Sequence, residues 1–492
     1  MVRGRISRLL VRDVRFPTSL EGHGSDAMHT DPDYSAAYVV LETDAEDGLR
    51  GCGLTFTLGK GTEVVVCAVN ALAHHVLHKD LRDIVGNFRG FYRQLTSDGQ
   101  LRWIGPEKGA VHLATAAILN AVWDLWAKQE GKPLWKLLVD MDPRTLVSCI
   151  DFRYITDALT EEDALEILQK GQIDKKEREE QMLTHGYPAY TTSCAWLGYP
   201  DDLLKQLCAA ALKDGWTRFK VKVGADLQDD VRRCRLIRDM IGPEKTLMLD
   251  ANQRWDVPEA VEWMSKLAEF KPLWIEEPTS PDDILGHAAI SKALAPLGIG
   301  VATGEQCHNR VIFKQLLQAN ALQFLQIDSC RLGSVNENLS VLLMAKKFGI
   351  PVCPHAGGVG LCELVQHLII FDYISVSASL QNSLTVWLPK FHNPQPNCPW
   401  QKGKQRAATV NNSQQGTRAS ICGVSTEDRR GRGRGAAPHV VVGSRTVGAG
   451  RAAAVCREAE LSRGTAPRLP WKGLAKIQVK NANSGEAPHP LA

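Results

Sequence analysis

Through the middle of this 492-residue chain, charged residues recur at intervals of one strand plus one helix: Lys220 and Lys222, then Asp250, Glu276, Glu305, Asp328 and His355. The gaps from Lys222 onward are 28, 26, 29, 23 and 27 residues. Each residue lies at or near the carboxyl end of a short apolar run, so successive strands would deliver one polar group apiece to a common rim. A single acid at a strand end is more often a helix N-cap or a buried ion-pair partner. Six strands in succession are not expected to do this by chance.

Asp250, Glu276 and Glu305 offer three hard oxygen ligands with no cysteine or histidine among them, a set that suits Mg²⁺ rather than zinc. Glu277 falls on the opposite side of the pleat and is expected to be a structural ion-pair partner. Lys220 and Lys222 are two apart and leave the strand on one face. Two ammonium groups that close disfavour each other's charge, so at least one should have a lowered pKa. Such a lysine is a usable general base, and His355 held by Asp328 is a usable acid or base opposite it. A cation between two proton-transfer groups is the apparatus for removing a proton alpha to a carboxylate.

The strands that must position these groups are read at 146–152, 219–223, 246–250, 273–276, 300–304, 324–328, 351–354 and 375–380, with a long insertion at 157–198 interrupting the first repeat. Eight strand-helix units of this length fit an α/β barrel better than an open doubly wound sheet, and no Gly-x-Gly-x-x-Gly follows any strand. Ahead of them, a strand at 6–16, a loop at 17–33, a strand at 38–42 and helices at 62–79 and 111–129 make an α+β unit. Gly131-Lys132-Pro133 stops the second helix.

Composition narrows the setting. The chain is 44% hydrophobic and 23% charged, with no run of 18 apolar residues that would suggest a membrane span. Its 13 cysteines include no Cys-x-x-Cys and read as thiols of a reducing compartment. Residues 382–492 carry 17 Lys and Arg against 5 Asp and Glu, net +12, leaving −9 on the remainder. This tail is expected to be poorly ordered. Its Arg429-Arg430-Gly431-Arg432-Gly433-Arg434-Gly435 run is of a kind that contacts nucleic-acid phosphates, but no aromatic residue is interleaved for base stacking. Arg3, Arg5, Arg8, Arg12 and Arg15 fit either a mitochondrial transit segment or a strand. His74, His75 and His78 read as an amphipathic surface rather than a metal site.

The strings Lys220-Val221-Lys222, Asp250-Ala251-Asn252, Trp274-Ile275-Glu276-Glu277-Pro278, Gly304-Glu305 and Pro354-His355 resemble those of the mandelate racemase subgroup of the enolase superfamily. The resemblance runs from residue 1 to about residue 381. It implies a capping domain at 1–140, a (β/α)7β-type TIM-like barrel domain at 141–381 and a divergent tail at 382–492. It also implies a Mg²⁺-dependent acid-sugar dehydratase, a hydro-lyase converting L-fuconate to 2-keto-3-deoxy-L-fuconate and water, in mitochondria or alternatively the cytoplasm, and often as a homo-oligomer. Asp250, Glu276 and Glu305 would then hold the metal. Lys222 would abstract the C2 proton, and His355, supported by Asp328, would protonate the departing 3-hydroxyl. Lys220, Asn252, Glu276, Glu305 and His355, with Gly24, Ser25, Asp26 and Tyr34 of a closing loop, would contact substrate. A Lys or His base paired with Mg²⁺ is the superfamily's general pattern.

One family feature is missing. The family places a glutamate just beyond the eighth strand, whereas residues 373–426 contain no Asp or Glu. The alternative reading is therefore a catalytically impaired variant that acts as a regulatory or nucleic-acid-interacting protein through its basic tail.

Overall fold

The structure, a computed structural model, describes residues 2–105, 107–187, 189–378 and 457–459. The chain opens with an antiparallel sheet of β1 (Ile6–Arg15), β2 (Ser35–Thr43) and β3 (Arg50–Thr57). β1 and β2 pair with Leu9 opposite Leu41 and Val11 opposite Val39. Alternation turns Ile6, Leu9, Val11, Ala37, Val39 and Leu41 into the core and leaves Arg8 and Arg12 on the exposed side. The amino-terminal arginines thus lie on or beside a strand.

The helix Gly109–Gln129 packs across β3. By length and composition alone it could cross a membrane, but 83% of its apolar window is buried inside the protein. Its Trp123 stacks on Phe88 at 4.7 Å and on Trp126 at 5.0 Å between ring centroids. Small residues allow the close approach to β3. A Cβ added at Gly53 would lie 2.3 Å from the Ala117 carbonyl oxygen, and one at Gly51 would lie 2.2 Å from that of Ala121.

Five parallel strands follow in chain order: β4 (Arg218–Lys222), β5 (Thr246–Asp250), β6 (Trp274–Glu276), β7 (Gly300–Thr303) and β8 (Phe324–Leu325). Parallel bridges Thr191–Phe219 and Leu325–Val352 extend the set on both sides. With helices between the strands, this is a modified TIM-barrel core behind an antiparallel capping sheet. β9 (Arg457–Ala459) lies antiparallel against β1. The rest of the basic tail, including the Arg-Gly run, lies outside the described residues.

Two strand expectations are corrected. Residues 146–152 form no strand, because a helix occupies Pro143–Ser148. Asp142 caps it, its carboxylate accepting from the amides of Arg144 (3.0 Å) and Thr145 (3.1 Å), and Pro143 takes the first turn. The strand position beside β4 is held instead by Thr191, near the end of the 157–198 insertion. The helices Glu161–Lys170 and Lys175–His185 of that insertion therefore precede the first barrel strand position rather than interrupting its repeat.

At the other end, Asp372–Ser377 is a π-helical turn continuing the helix Leu361–Phe371, so residues 375–377 of the strand expected at 375–380 are helical, while 379 and 380 lie outside the described residues. Its carbonyls are taken by side chains: Arg178 donates to Ile374 (2.9 Å) and Lys346 to Ser377 (2.8 Å). The alternation of Ser375, Val376, Ser377 and Ala378 imitates a strand, but the neighbouring helices hold it in a helical turn.

A buried charge network joins the capping unit to the barrel. Arg310 Nη1 lies 2.8 Å from Glu107 and 3.2 Å from Glu337, while His112 Nε2 lies 2.7 Å from Glu337 Oε2. Burial would raise the Glu337 carboxyl, but His112 and then Arg310 hold it at about 2. Glu337→Ala is expected to cost about 3–5 kcal/mol in a urea melt, because it leaves buried cationic groups under-compensated. A loss below about 1 kcal/mol would contradict this role. The folded carboxyl titrates below its unfolded value of 4.5, so its stabilisation is present above that pH and is lost as pH falls toward 2.

Candidate active site

Strand register brings the charged residues together. Lys222 pairs with Asp250 and Asp250 with Glu276, so three consecutive strands present these side chains in one row. Glu305 follows β7 after Gly304, whose φ of 143° and close approach to the Gln326 carbonyl oxygen (2.0 Å from an added Cβ) exclude a side chain there. Asp328 follows β8, and His355 follows the bridge at Val352, its amide donating to Ile327 (2.9 Å).

Ligand oxygens of Asp250, Glu276 and Glu305 lie within 4.8 Å of one another, and all three residues form a candidate site for one metal ion. Glu305 Oε2 is buried without a hydrogen-bond partner; the nearest cationic atom is His355 Nε2 at 3.5 Å. An orphaned carboxylate oxygen beside two others fits a hard divalent cation. Lys220 Nζ meets Glu276 at 2.5 Å and Asp250 at 3.0 Å, and Lys222 Nζ meets Asp250 at 2.6 Å and Asn252 Oδ1 at 2.9 Å. Lys220 also lies 4.9 Å from the centroid of the Tyr190 ring.

The expectation of a lysine with lowered pKa is overturned. Burial pulls both ammonium groups down, but Asp250, joined at Lys220 by Glu276, outweighs it, and both are raised. Mutual repulsion is real at Lys222 but smaller than its attraction to Asp250. Burial likewise pushes Asp250 up, and the two lysines bring it well below the carboxylate range. Burial and then Asp250 push Glu276 to about 7.

Glu277 is no ion-pair partner among the described residues. Its φ of 43° breaks the pleat, and its Oε2 accepts from the neutral Gln253 amide at 2.6 Å. Burial, and then Glu305 and Asp250, raise its carboxyl.

On the other side, Asp328 Oδ2 meets His355 Nδ1 at 2.8 Å, while Oδ1 accepts from the amides of Cys330 (2.7 Å) and Arg331 (2.8 Å). This fixed carboxylate leaves Nε2 of His355 facing Glu305. Burial lowers the imidazole, and Glu305 with Asp328 more than reverses it.

A cavity of about 590 Å³ adjoins these groups, with Asp250 and Glu276 buried behind its wall rather than lining it. Lys220, Lys222, Asn252, Glu305, Asp328 and His355 line it from the barrel side, and Gly24, Asp26 and Tyr34 from the capping side. Gly24 has φ 80°, and an added Cβ would lie 2.1 Å from the Tyr34 hydroxyl. Ser25 does not line the cavity; its hydroxyl donates to the carbonyls of Gly22 and Leu197.

Among the wall residues not singled out from sequence are His29, Trp196 and Arg331. Asp26 Oδ1 accepts from the amides of Met28 (2.8 Å) and His29 (2.6 Å), and the carboxylate holds His29 Nδ1 at 3.0 Å. An Asp three residues before a His was the available signal. Arg331 donates through Nε to the Glu305 carbonyl oxygen at 3.0 Å; nothing in its spacing marked it.

This fold and site define a member of the mandelate racemase/muconate lactonizing enzyme family, and the chain belongs to it. Residues 25–139 match the mandelate racemase/muconate lactonizing enzyme N-terminal domain, and residues 202–410 match the enolase C-terminal domain-like family. Over 392 residues the chain is 89% identical to mitochondrial enolase superfamily member 1 of Homo sapiens, covering 80% of this chain and 88% of that protein. The crystal structure of the human protein matches with a TM-score of 0.77 and 91% identity, covering 78% of this chain and 87% of that one. L-galactonate dehydratase of Hypocrea jecorina is 55% identical over 372 residues, 75% of this chain and 82% of that one. L-talarate/galactarate dehydratase from Salmonella typhimurium, liganded with Mg and L-lyxarohydroxamate, matches with a TM-score of 0.58 at 26% identity, covering 75% of this chain and 81% of that one.

Replacing Asp328 with Asn keeps the backbone acceptor but removes the charge beside the imidazole. Asp328→Asn is expected to lower the His355 pKa in an NMR titration of the ring protons. An unchanged midpoint would show that Glu305 alone sets it.

Proposed function

We propose that this protein is a Mg²⁺-dependent acid-sugar dehydratase that converts L-fuconate to 2-keto-3-deoxy-L-fuconate and water. The observation that carries the proposal is the placement of Lys222 and of the Asp328–His355 pair in one cavity with Glu305, whose carboxylate clusters with those of Asp250 and Glu276 behind the cavity wall. The dehydratase names of the Hypocrea and Salmonella relatives, and the Mg bound in the latter, support the reaction class and the metal. The name of the human relative supports a mitochondrial location.

Asp250, Glu276 and Glu305 would hold the cation, which supplies positive charge beside the substrate carboxylate and relieves Lys222 of neutralising Asp250. Lys220 binds a carboxylate oxygen of the substrate, and Asn252 orients Lys222 through the 2.9 Å contact to its ammonium. Lys222 takes the C2 proton onto Nζ, and the electron pair of that bond moves toward the carboxylate. His355 Nε2 then gives its proton to the 3-hydroxyl as the C3–O bond breaks, releasing water. The resulting enol ketonises to the 2-keto product. Asp328 holds the imidazole and favours its protonated form before the transfer. Gly24, Asp26, His29 and Tyr34 close the sugar end of the cavity, while Ser25 fixes that loop to Leu197. We assign residues 1–140 to the cap and 141–381 to the barrel.

One observation favours a second reading. A helical turn occupies the first half of the expected eighth strand, and the family's glutamate has no counterpart in 373–426. Losing such an electrostatic group costs ~10²–10³ in rate, so an impaired, metal-binding protein is the alternative.

The two readings separate in D₂O with L-fuconate and Mg²⁺. The full chain is expected to form the 2-keto-3-deoxy acid, and Lys222→Ala to abolish both product and exchange at C2. His355→Asn should lose product by at least ~10²-fold while retaining C2 exchange. Absence of product and of exchange in the full chain, with Mg²⁺ still bound, would favour the impaired reading.

A further inference from the structure

We propose that His74, His75 and Asp98 form a second metal site, for Zn²⁺, on the capping unit and separate from the barrel carboxylates. The helix Thr62–Leu72 continues into a 3-10 turn, Ala73–His75, which ends with two adjacent imidazoles. Asp98 lies just beyond the helix Phe88–Thr96. One ligand atom from each of the three residues falls within 4.8 Å of the others.

Both imidazoles approach the same carboxylate oxygen. His75 Nε2 lies 3.1 Å and His74 Nε2 3.9 Å from Asp98 Oδ2. Tetrahedral zinc with bonds of about 2 Å needs its ligand atoms about 3.3 Å apart. The two spacings to Asp98 bracket that value. A plain His75–Asp98 hydrogen bond accounts for the first contact. It leaves unexplained why the more exposed His74 ring, 3.8 Å from that of His75, also faces this oxygen.

The surroundings orient the ligands as metal sites require. His74 Nδ1 contacts the Ala71 carbonyl oxygen at 2.9 Å, which places its proton there and leaves the Nε2 lone pair free. His75 Nδ1 lies 3.3 Å from the Gln94 amide nitrogen, which donates to it; a half-turn of the amide would present its oxygen to an Nδ1 proton instead and free Nε2 for a metal. Asp98 Oδ1 accepts from the amides of Gln100 and Leu101, both at 2.9 Å, so the carboxylate is fixed with Oδ2 directed to the histidines.

Two imidazoles and one carboxylate favour zinc over magnesium, whereas the all-oxygen barrel site has the opposite preference. The His74 side chain is 61% exposed, so the ion can enter from solvent and water can complete the tetrahedron. Occupancy would clamp the end of the Thr62–Leu72 helix to the loop at Asp98. This site does not depend on the proposed dehydratase chemistry.

The test is zinc titration of the full-length protein against a chromogenic chelator, with Mg²⁺ saturating the oxygen site. One zinc equivalent should be held at least tenfold more weakly by His74→Ala and by Asp98→Asn, and unchanged in His78→Ala. Both test variants should keep the parent's circular dichroism and melting temperature. Failure of the parent to bind zinc, or equal affinity in the parent and both variants, would overturn the site.

Discussion

The site depends on how charge is balanced among side chains that are almost entirely buried. Asp250 and Glu276 are fully buried and Glu305 exposes little of its side chain, so three carboxylates close together would repel one another strongly without compensation. Here Lys220 and Lys222 supply it, bound directly to Asp250 and Glu276. This explains why two neighbouring lysines, which would depress each other in isolation, are both raised. It also explains why Glu276, the less fully paired acid, rises to about 7 while Asp250 falls. The three acids and two lysines are arranged for a further positive charge, with Glu305 Oε2 left as the unpaired acceptor.

That arrangement follows from parallel strand register. Because Lys222, Asp250 and Glu276 are in register across β4, β5 and β6, each strand needs only the right residue at its carboxyl end. The capping unit contributes a wall to this centre and, through Asp26, a charge that also helps to raise Lys222. Its attachment is through the Arg310, Glu107, His112 and Glu337 network and through Asn120, which donates to both Leu54 and Ser329. The cap wall and the barrel groups are thus held by separate interactions and meet at the cavity.

The barrel groups were legible in the sequence because strand-end position and one-unit spacing encode their convergence, and five of the eight expected strands appear as named parallel strands. The failures have local causes. At 146–152 an apolar run outweighed the Asp142-Pro143 helix start, and at 375–380 alternating residues were held in a π-helical turn by Arg178 and Lys346. The lysine pKa expectation failed because spacing reveals the neighbouring ammonium group but not the carboxylates that strand pairing brings against it. His29 and Arg331 were missed because each reaches the cavity through a loop, where periodicity carries no signal.

The most direct test of this account is the ¹⁵N NMR titration of the Lys222 ammonium with and without saturating Mg²⁺. If the lysine neutralises carboxylates that otherwise share a cation, its pKa falls markedly on Mg²⁺ addition, and Asp250→Asn abolishes the metal dependence. A Lys222 pKa indifferent to Mg²⁺ in a protein that binds the ion would contradict it.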